Sequence, residues 1–205
     1  MADFDWSILE RPSAMAMVRG QLGFSWMVLN DALTDLTDEE WAWEPAPGAW
    51  GLRRRADAEA RPDGADHLVG AGEWVLEWPS DDGSDDRTRT IAWLLGHLTE
   101  VFFERFEHTF GGHRQSREDI EFAGNAVAAV AQLASHVEGW QAGIEHLPEE
   151  QVMTVGLSQA TDIDKTAPFG HLVLHLNREL IAHGAEAIAL RDLRAAHRVE
   201  APPEV

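Results

Sequence analysis

Residues 169–194 read FGHLVLHLNRELIAHGAEAIALRDLR, and four groups able to bind a metal fall in them at steps of four: His171, His175, Glu179 and His183. A helix advances about 100° and 1.5 Å per residue, so each step moves about 40° around the axis and about 6 Å along it. Consecutive members therefore share a face, with the spacing of a chelating pair. His175 and His183 lie about 12 Å apart along the axis, too far for one ion, so Glu179 pairs with one or the other. A third ligand has to come from another helix. The best candidate is His97, the one imidazole inside the apolar run IAWLLGHLTEVFFERF.

Leu172, Leu176, Leu180 and Ile188, with Val173, Ile181 and Leu190, place core residues on both sides of the His/Glu stripe and turn it inward. This helix is expected to start near Thr166 or Ala167, with Pro168 in its first turn, and to end before the tail APPEV.

Three more long helices are legible upstream. Between Pro12 and Leu36, apolar residues recur at Met15, Val18, Leu22, Trp26, Leu29, Leu33 and Leu36 in steps of three and four. The Thr34 to Thr37 cluster, followed by Asp38, Glu39 and Glu40, suits an exit and a short turn. Thr88 or Thr90 caps a second helix with Ile91, Leu94, Leu95, Leu98, Val101, Phe102 and Phe106 on its apolar face. Ser116 and Asp119 resemble a capping box, opening a third helix from about Arg117 to His146 on Val127, Val130, Ala134, Val137, Trp140, Ile144 and Leu147. His136 and His146 are expected at its surface, and residues 148–167 as a loop.

Between the first two helices, from about 41 to 87, periodicity gives way to proline, glycine and acidic residues. Trp74, Leu76 and Trp78 alternate with Val75 and Glu77 as a strand does, and Ala49 to Arg53 is a candidate partner, predicting a two-stranded hairpin. Trp41, Trp43, Trp50, Trp74 and Trp78 give this insertion a small core of its own, or line the mouth of a pocket. The run SDDGSDD reads as a solvated loop. The fold expected is all-α: an antiparallel four-helix bundle with a β-hairpin insertion, residues 1–205 forming one domain.

Composition removes several functions. A net charge of −20 opposes binding to nucleic acid or to an anionic membrane surface, since both need clustered cations. The chain has no cysteine, so neither a disulfide nor a thiolate of its own enters the chemistry. The acidic start MADFDWSILERP lacks the pattern of a signal peptide, and no 18-residue apolar run occurs, so a soluble, cytoplasmic protein is expected.

WEPAPGAWGLR at 43–53, TIAWLLGHLTEVFFERF at 90–106 and HLNRELIAHGAEAIALRDL at 175–193 resemble the DinB-like superfamily. Within it, they are most similar to the metal-binding domains of the mycothiol-dependent maleylpyruvate isomerases. The resemblance extends from about Met15 to Leu193. It implies a four-helix bundle holding a divalent metal, zinc or nickel, with one ligand from the second helix and an i, i+4 pair from the last. Carried onto this chain, the ligands are His97, Glu179 and His183. The glutamate is the isomerase type's residue, where many DinB-like proteins have histidine.

Two imidazoles and one carboxylate leave a divalent ion with net positive charge and open positions, able to acidify a bound water or thiol. With no cysteine in the chain, the resemblance implies a small thiol cosubstrate, mycothiol, used by a transferase or isomerase on a small electrophile, and a homodimer. The isomerases usually carry a further C-terminal domain, and the sequence stops at Val205. That favours the alternative of a non-enzymatic metal-binding or stress-linked protein; a metal-free bundle with a polar His/Glu layer is the third reading. Arg178 and Arg191 are candidate anchors for an anionic substrate or partners of Glu186, Asp192 and other carboxylates. His175 is either a partner behind the ligands or an alternative to Glu179.

Overall fold

The computed structural model describes residue 10 and residues 13–61, 64–79 and 87–200, with side chains as far as residue 197. Pro12, the SDDGSDD run and the APPEV tail lie outside the described residues.

Ser13 accepts from the Ala16 amide and opens α1, Ala14–Ala32. The chain leaves it through Asp35, whose φ of 59° is the left-handed conformation that aspartate tolerates. The threonines and acids that follow form more than a turn. Thr37 and Glu40 cap one another's backbone reciprocally and open a short helix α2, Asp38–Trp41.

The insertion holds three strands rather than the expected two. Strand β1, Leu52–Arg54, runs into helix α3, Arg55–Glu59; β2 is His67–Val69 and β3 is Trp74–Trp78. The order is β1-β3-β2, with Leu52 and Val69 both opposite Leu76 on the central strand. The expected partner segment is thus correct in part, and β2 escaped notice because three residues are too few to show an alternation. Val75, Leu76 and Glu77 are fully buried, so both faces of β3 are covered.

Thr90, not Thr88, caps α4, Ile91–Glu107, accepting from the Trp93 amide at 3.1 Å. The third long helix begins later than its sequence suggests. Ser116 and Asp119 do form a capping box, but it closes only a 3-10 turn at Arg117–Asp119. The chain then runs extended through Ile120, whose carbonyl accepts from the Ala71 amide at 2.8 Å, and Phe122 is buried. Pinned there, the chain starts α5, Ala126–Glu145, only at the Asn125 cap. His146 is exposed as expected, whereas His136 is partly buried with its ring edge against Phe103.

Residues 148–167 also carry more structure than a loop, with a 3-10 turn at Glu149–Met153 and a helix α6 at Asp162–Thr166 opened by a Thr161/Asp164 capping box. Helix α7 follows as 32 residues, Phe169–Glu200.

The four long helices pack α1 on α7, α7 on α4, α4 on α5 and α5 on α1, closing a ring. Their directions correct the expectation of antiparallel neighbours throughout. Along α1 and α7, Asn177 donates to the Val18 carbonyl and Arg191 to the Thr34 carbonyl, so both numbers rise together and the pair is parallel. Along α4 and α5, the His136 ring meets Phe103 and the Trp140 ring meets Phe110, again in parallel. The α4–α7 pair is antiparallel, with Arg89 on Glu186 and His97 on Glu179. So is α1–α5, where Arg19 bonds the Glu145 carbonyl and Asp38 accepts from the Ala126 amide. Two parallel neighbours joined by residues 108–125 require that connection to return along the helices, and roughly 18 residues at about 3.3 Å each can span a helix of about 30 Å. Among the described residues, no helix is long and apolar enough to cross a membrane.

Candidate metal centre

Helix α4 lies hard against the central strand at Gly96, where a Cβ would stand 2.9 Å from Leu76 Cδ1. That approach puts the next residue, His97, between α7 and Trp78 of the insertion. Glu77 holds the strand in place: its Oε2 accepts from the Gly51 amide and from Arg53 Nε, each at 2.9 Å. The Glu77 carbonyl accepts from the Trp93 indole N–H at 2.6 Å. Trp93 then stacks on the His97 ring at 5.0 Å and 19°, and Trp78 packs against both rings, 5.6 Å from His97 and 6.3 Å from Trp93. Of the five insertion tryptophans, Trp41 and Trp50 are buried in the core, and Trp78 lines a cavity beside His97, so both sequence readings apply, to different residues.

Three of the sequence-predicted residues converge. Glu179 Oε2 stands 3.2 Å from His183 Nε2 and 3.5 Å from His97 Nε2, and one donor atom of each residue lies within 4.8 Å of the others. The two imidazoles meet edge to face. Glu179 meets both of its candidate partners through different oxygens: Oε2 faces His183 and His97, while Oε1 faces His175 Nδ1 at 3.5 Å and receives Arg178 at 2.5 Å. His175 is therefore beside the cluster, and His171 is exposed and outside it. Arg191 plays no part here; it caps the end of α1 through the carbonyls of Ala32 and Thr34 and pairs with Glu40.

Two further carboxylates complete the arrangement. Glu100 Oε2 lies 3.4 Å from His97 Nδ1, and Glu186 Oε2 lies 3.5 Å from His183 Nδ1. Sequence reading passed over Glu100 and treated Glu186 only as a partner for arginine. The signal was present as His-x-x-Glu in both helices, His97 to Glu100 and His183 to Glu186.

The electrostatics favour positive charge at the centre. Burial disfavours the His97 cation, but the carboxylates of Glu100 and Glu179 outweigh it and raise the pKa. His183 is raised in the same way against its own burial by Glu179 and Glu186. Hydrogen bonds from His183 and His97 hold the Glu179 carboxyl far below the usual carboxylate range, with burial opposing them. Burial lowers His175.

The residues fit a divalent ion. The donors are two imidazole nitrogens and one carboxylate oxygen, the open three-ligand set of catalytic zinc sites. Donors bound about 2 Å from a tetrahedral ion stand about 3.3 Å from each other, close to the two Glu179 contacts.

A cavity of about 440 Å³ opens on the cluster, lined by His97, Glu100 and Glu179 together with Trp78, Arg105 and Arg117. Its volume lies in the range of small-molecule sites, and its aromatic wall sits beneath the Arg117 guanidinium, 4.4 Å from the Trp78 ring.

The family model described as the DinB superfamily matches residues 21–187. No curated protein and no solved structure matches the chain.

Proposed function

The chain belongs to the DinB superfamily, and on that premise we propose that it is a divalent-metal protein, with His97, Glu179 and His183 as ligands, that conjugates a small thiol to a small electrophile. The observation that carries this reading is the convergence of two Nε2 atoms and one carboxylate oxygen, with His97 and Glu179 of that cluster lining a cavity large enough for a small molecule. Zinc and nickel both suit the donor set. When bound, such an ion lowers the pKa of a thiol or water sharing it.

The chain's own residues supply the rest. His97, Glu179 and His183 bring two neutral donors and one negative charge, leaving a dication positive and open toward the cavity. Trp78 and Trp93 screen one side of His97 from water, which strengthens every charge interaction inside. Arg117 and Arg105, which also line the cavity, orient the polar end of an entering molecule. With no cysteine in the sequence, the reacting thiol is a cosubstrate, and a mycothiol-type sugar thiol is the proposed one. The same reading takes the ring of long helices as a four-helix bundle in one domain, working in the cytoplasm as a homodimer.

The test is conjugation of a low-molecular-weight thiol to a chromogenic electrophile by zinc- or nickel-loaded protein. Turnover in wild type that disappears in His183→Ala supports the transferase reading. Metal binding with no turnover for any thiol leaves the alternative, a non-enzymatic metal-binding DinB protein.

A further inference from the structure

The His-x-x-Glu pair recurs on both helices that face the centre, and in each the glutamate stands behind the histidine. Glu100 approaches His97 Nδ1 at 3.4 Å and Glu186 approaches His183 Nδ1 at 3.5 Å. Each glutamate is in turn approached by an arginine. Arg89 bonds Glu186 at 2.9 Å, and Arg105 lies 3.8 Å from Glu100. Those arginines stand eight residues before and eight residues after His97 in the chain. Two ligands are thus each backed by a carboxylate and an arginine, one set at each end of the site.

We propose that Glu100 and Glu186 are positioning residues that accept the Nδ1 proton of His97 and His183 and thereby present Nε2 of both rings to the metal. The proposal rests on the metal reading above. An ionised carboxylate only accepts hydrogen bonds, so an imidazole facing one through Nδ1 carries its proton there and leaves Nε2 as the lone-pair donor. The geometry agrees, because both Nε2 atoms already point at Glu179 Oε2.

Three buried atoms also lack any hydrogen-bond partner: His97 Nδ1, His183 Nδ1 and Glu100 Oε2. Contacts of 3.4 and 3.5 Å are longer than a charge-assisted bond of about 2.7–2.9 Å, and a small movement of each carboxylate toward its ring satisfies the pairing. Glu100 has no alternative role in solvation, since it is 2% exposed. Partners of this kind fix the ring orientation and raise the basicity of the ligand, and removing them commonly weakens metal binding by about 10- to 100-fold.

The experiment measures zinc affinity of the full chain by competition with a chromogenic chelator, for wild type and for Glu100→Leu, Glu186→Leu, Glu100→Gln and Glu186→Gln. It also records the ¹⁵N pattern of the histidines in zinc-loaded wild type. Each leucine variant is expected to bind about 10- to 100-fold more weakly. The glutamine variants lose less, because the amide oxygen still accepts from Nδ1–H. The nitrogen pattern is expected to show Nε2 bound and Nδ1 protonated in His97 and His183. Should a leucine variant fail to fold, the glutamine pair and the wild-type nitrogen pattern still decide. Coordination through Nδ1, or folded variants that bind as tightly as wild type, would overturn the inference alone. A wild type that binds no zinc would overturn the metal reading and this inference with it.

Discussion

Trp93 lies flat on His97, with ring centroids 5.0 Å apart and planes at 19°, and its indole is tied to the central strand through the Glu77 carbonyl. The β insertion is therefore part of the centre's support, not an ornament on the helices. Trp93→Phe keeps an aromatic face but leaves the buried carbonyl without its donor, which costs about 1–3 kcal/mol. Trp93→Ala also removes the packed ring and is expected to cost about 3–5 kcal/mol. Urea denaturation of the two variants checks both the size and the order of these losses.

The late start of α5 has its own consequence. Asn125 accepts from the Ala128 amide at 2.9 Å and is the true cap, so Asn125→Ala is expected to destabilise by about 1 kcal/mol. Ser116 sits at an exposed 3-10 turn, and Ser116→Ala is expected to fall within about 0.5 kcal/mol of wild type, as surface changes do. Equal losses in thermal or chemical unfolding would argue instead for a helix that begins at Arg117.

The parallel pairing of α1 and α7 is testable because the natural chain has no cysteine. A Cβ at Gly184 would stand 3.2 Å from Leu29 Cδ2, so Leu29→Cys with Gly184→Cys is expected to cross-link under mild oxidation. Cross-linking of Val18→Cys with Gly184→Cys in its place would indicate antiparallel helices. Peptide mapping of the oxidised variants distinguishes the two.

His136 offers a dependence on pH away from the metal centre. Burial against Phe103 lowers its pKa below the ordinary value of 6.5. Between the lowered folded value and 6.5, the unfolded chain therefore binds more protons, and stability falls as the pH falls through that window. Above 6.5 the residue is neutral in both states and contributes no slope. His136→Gln is expected to lose less stability than wild type between pH 7.5 and 5.5, measured as the difference in denaturation midpoint at each pH. An identical decline in both chains would contradict the assignment.

Much of this was legible in the residues themselves. The i, i+4 spacing and the lone imidazole at His97 narrowed the cluster to Glu179, His97 and either His175 or His183, because a helix fixes which residues share a face, and the family resemblance chose His183. What the pattern does not carry is direction. Apolar stripes at helical spacing say that Leu29 and Leu180 are buried, not whether their helices run the same way, and that was decided by the length and anchoring of residues 108–125. Capping boxes misled for a related reason: Ser116 and Asp119 satisfy one turn's amides whether or not a helix follows. The backing carboxylates went unnoticed because Glu100 looked like one acid among thirty-six acidic residues, and only its place behind His97 separates it from the rest.

The account turns on the ion. The most direct test is elemental analysis of tag-free protein after incubation with zinc or nickel, alongside His183→Ala and Glu179→Ala. The account predicts about one metal ion per chain in wild type and near none in either variant, since each removes one of three donors. Wild-type protein that retains no metal after incubation would contradict it, and would leave His97, Glu179 and His183 as a hydrogen-bonded layer within the helices.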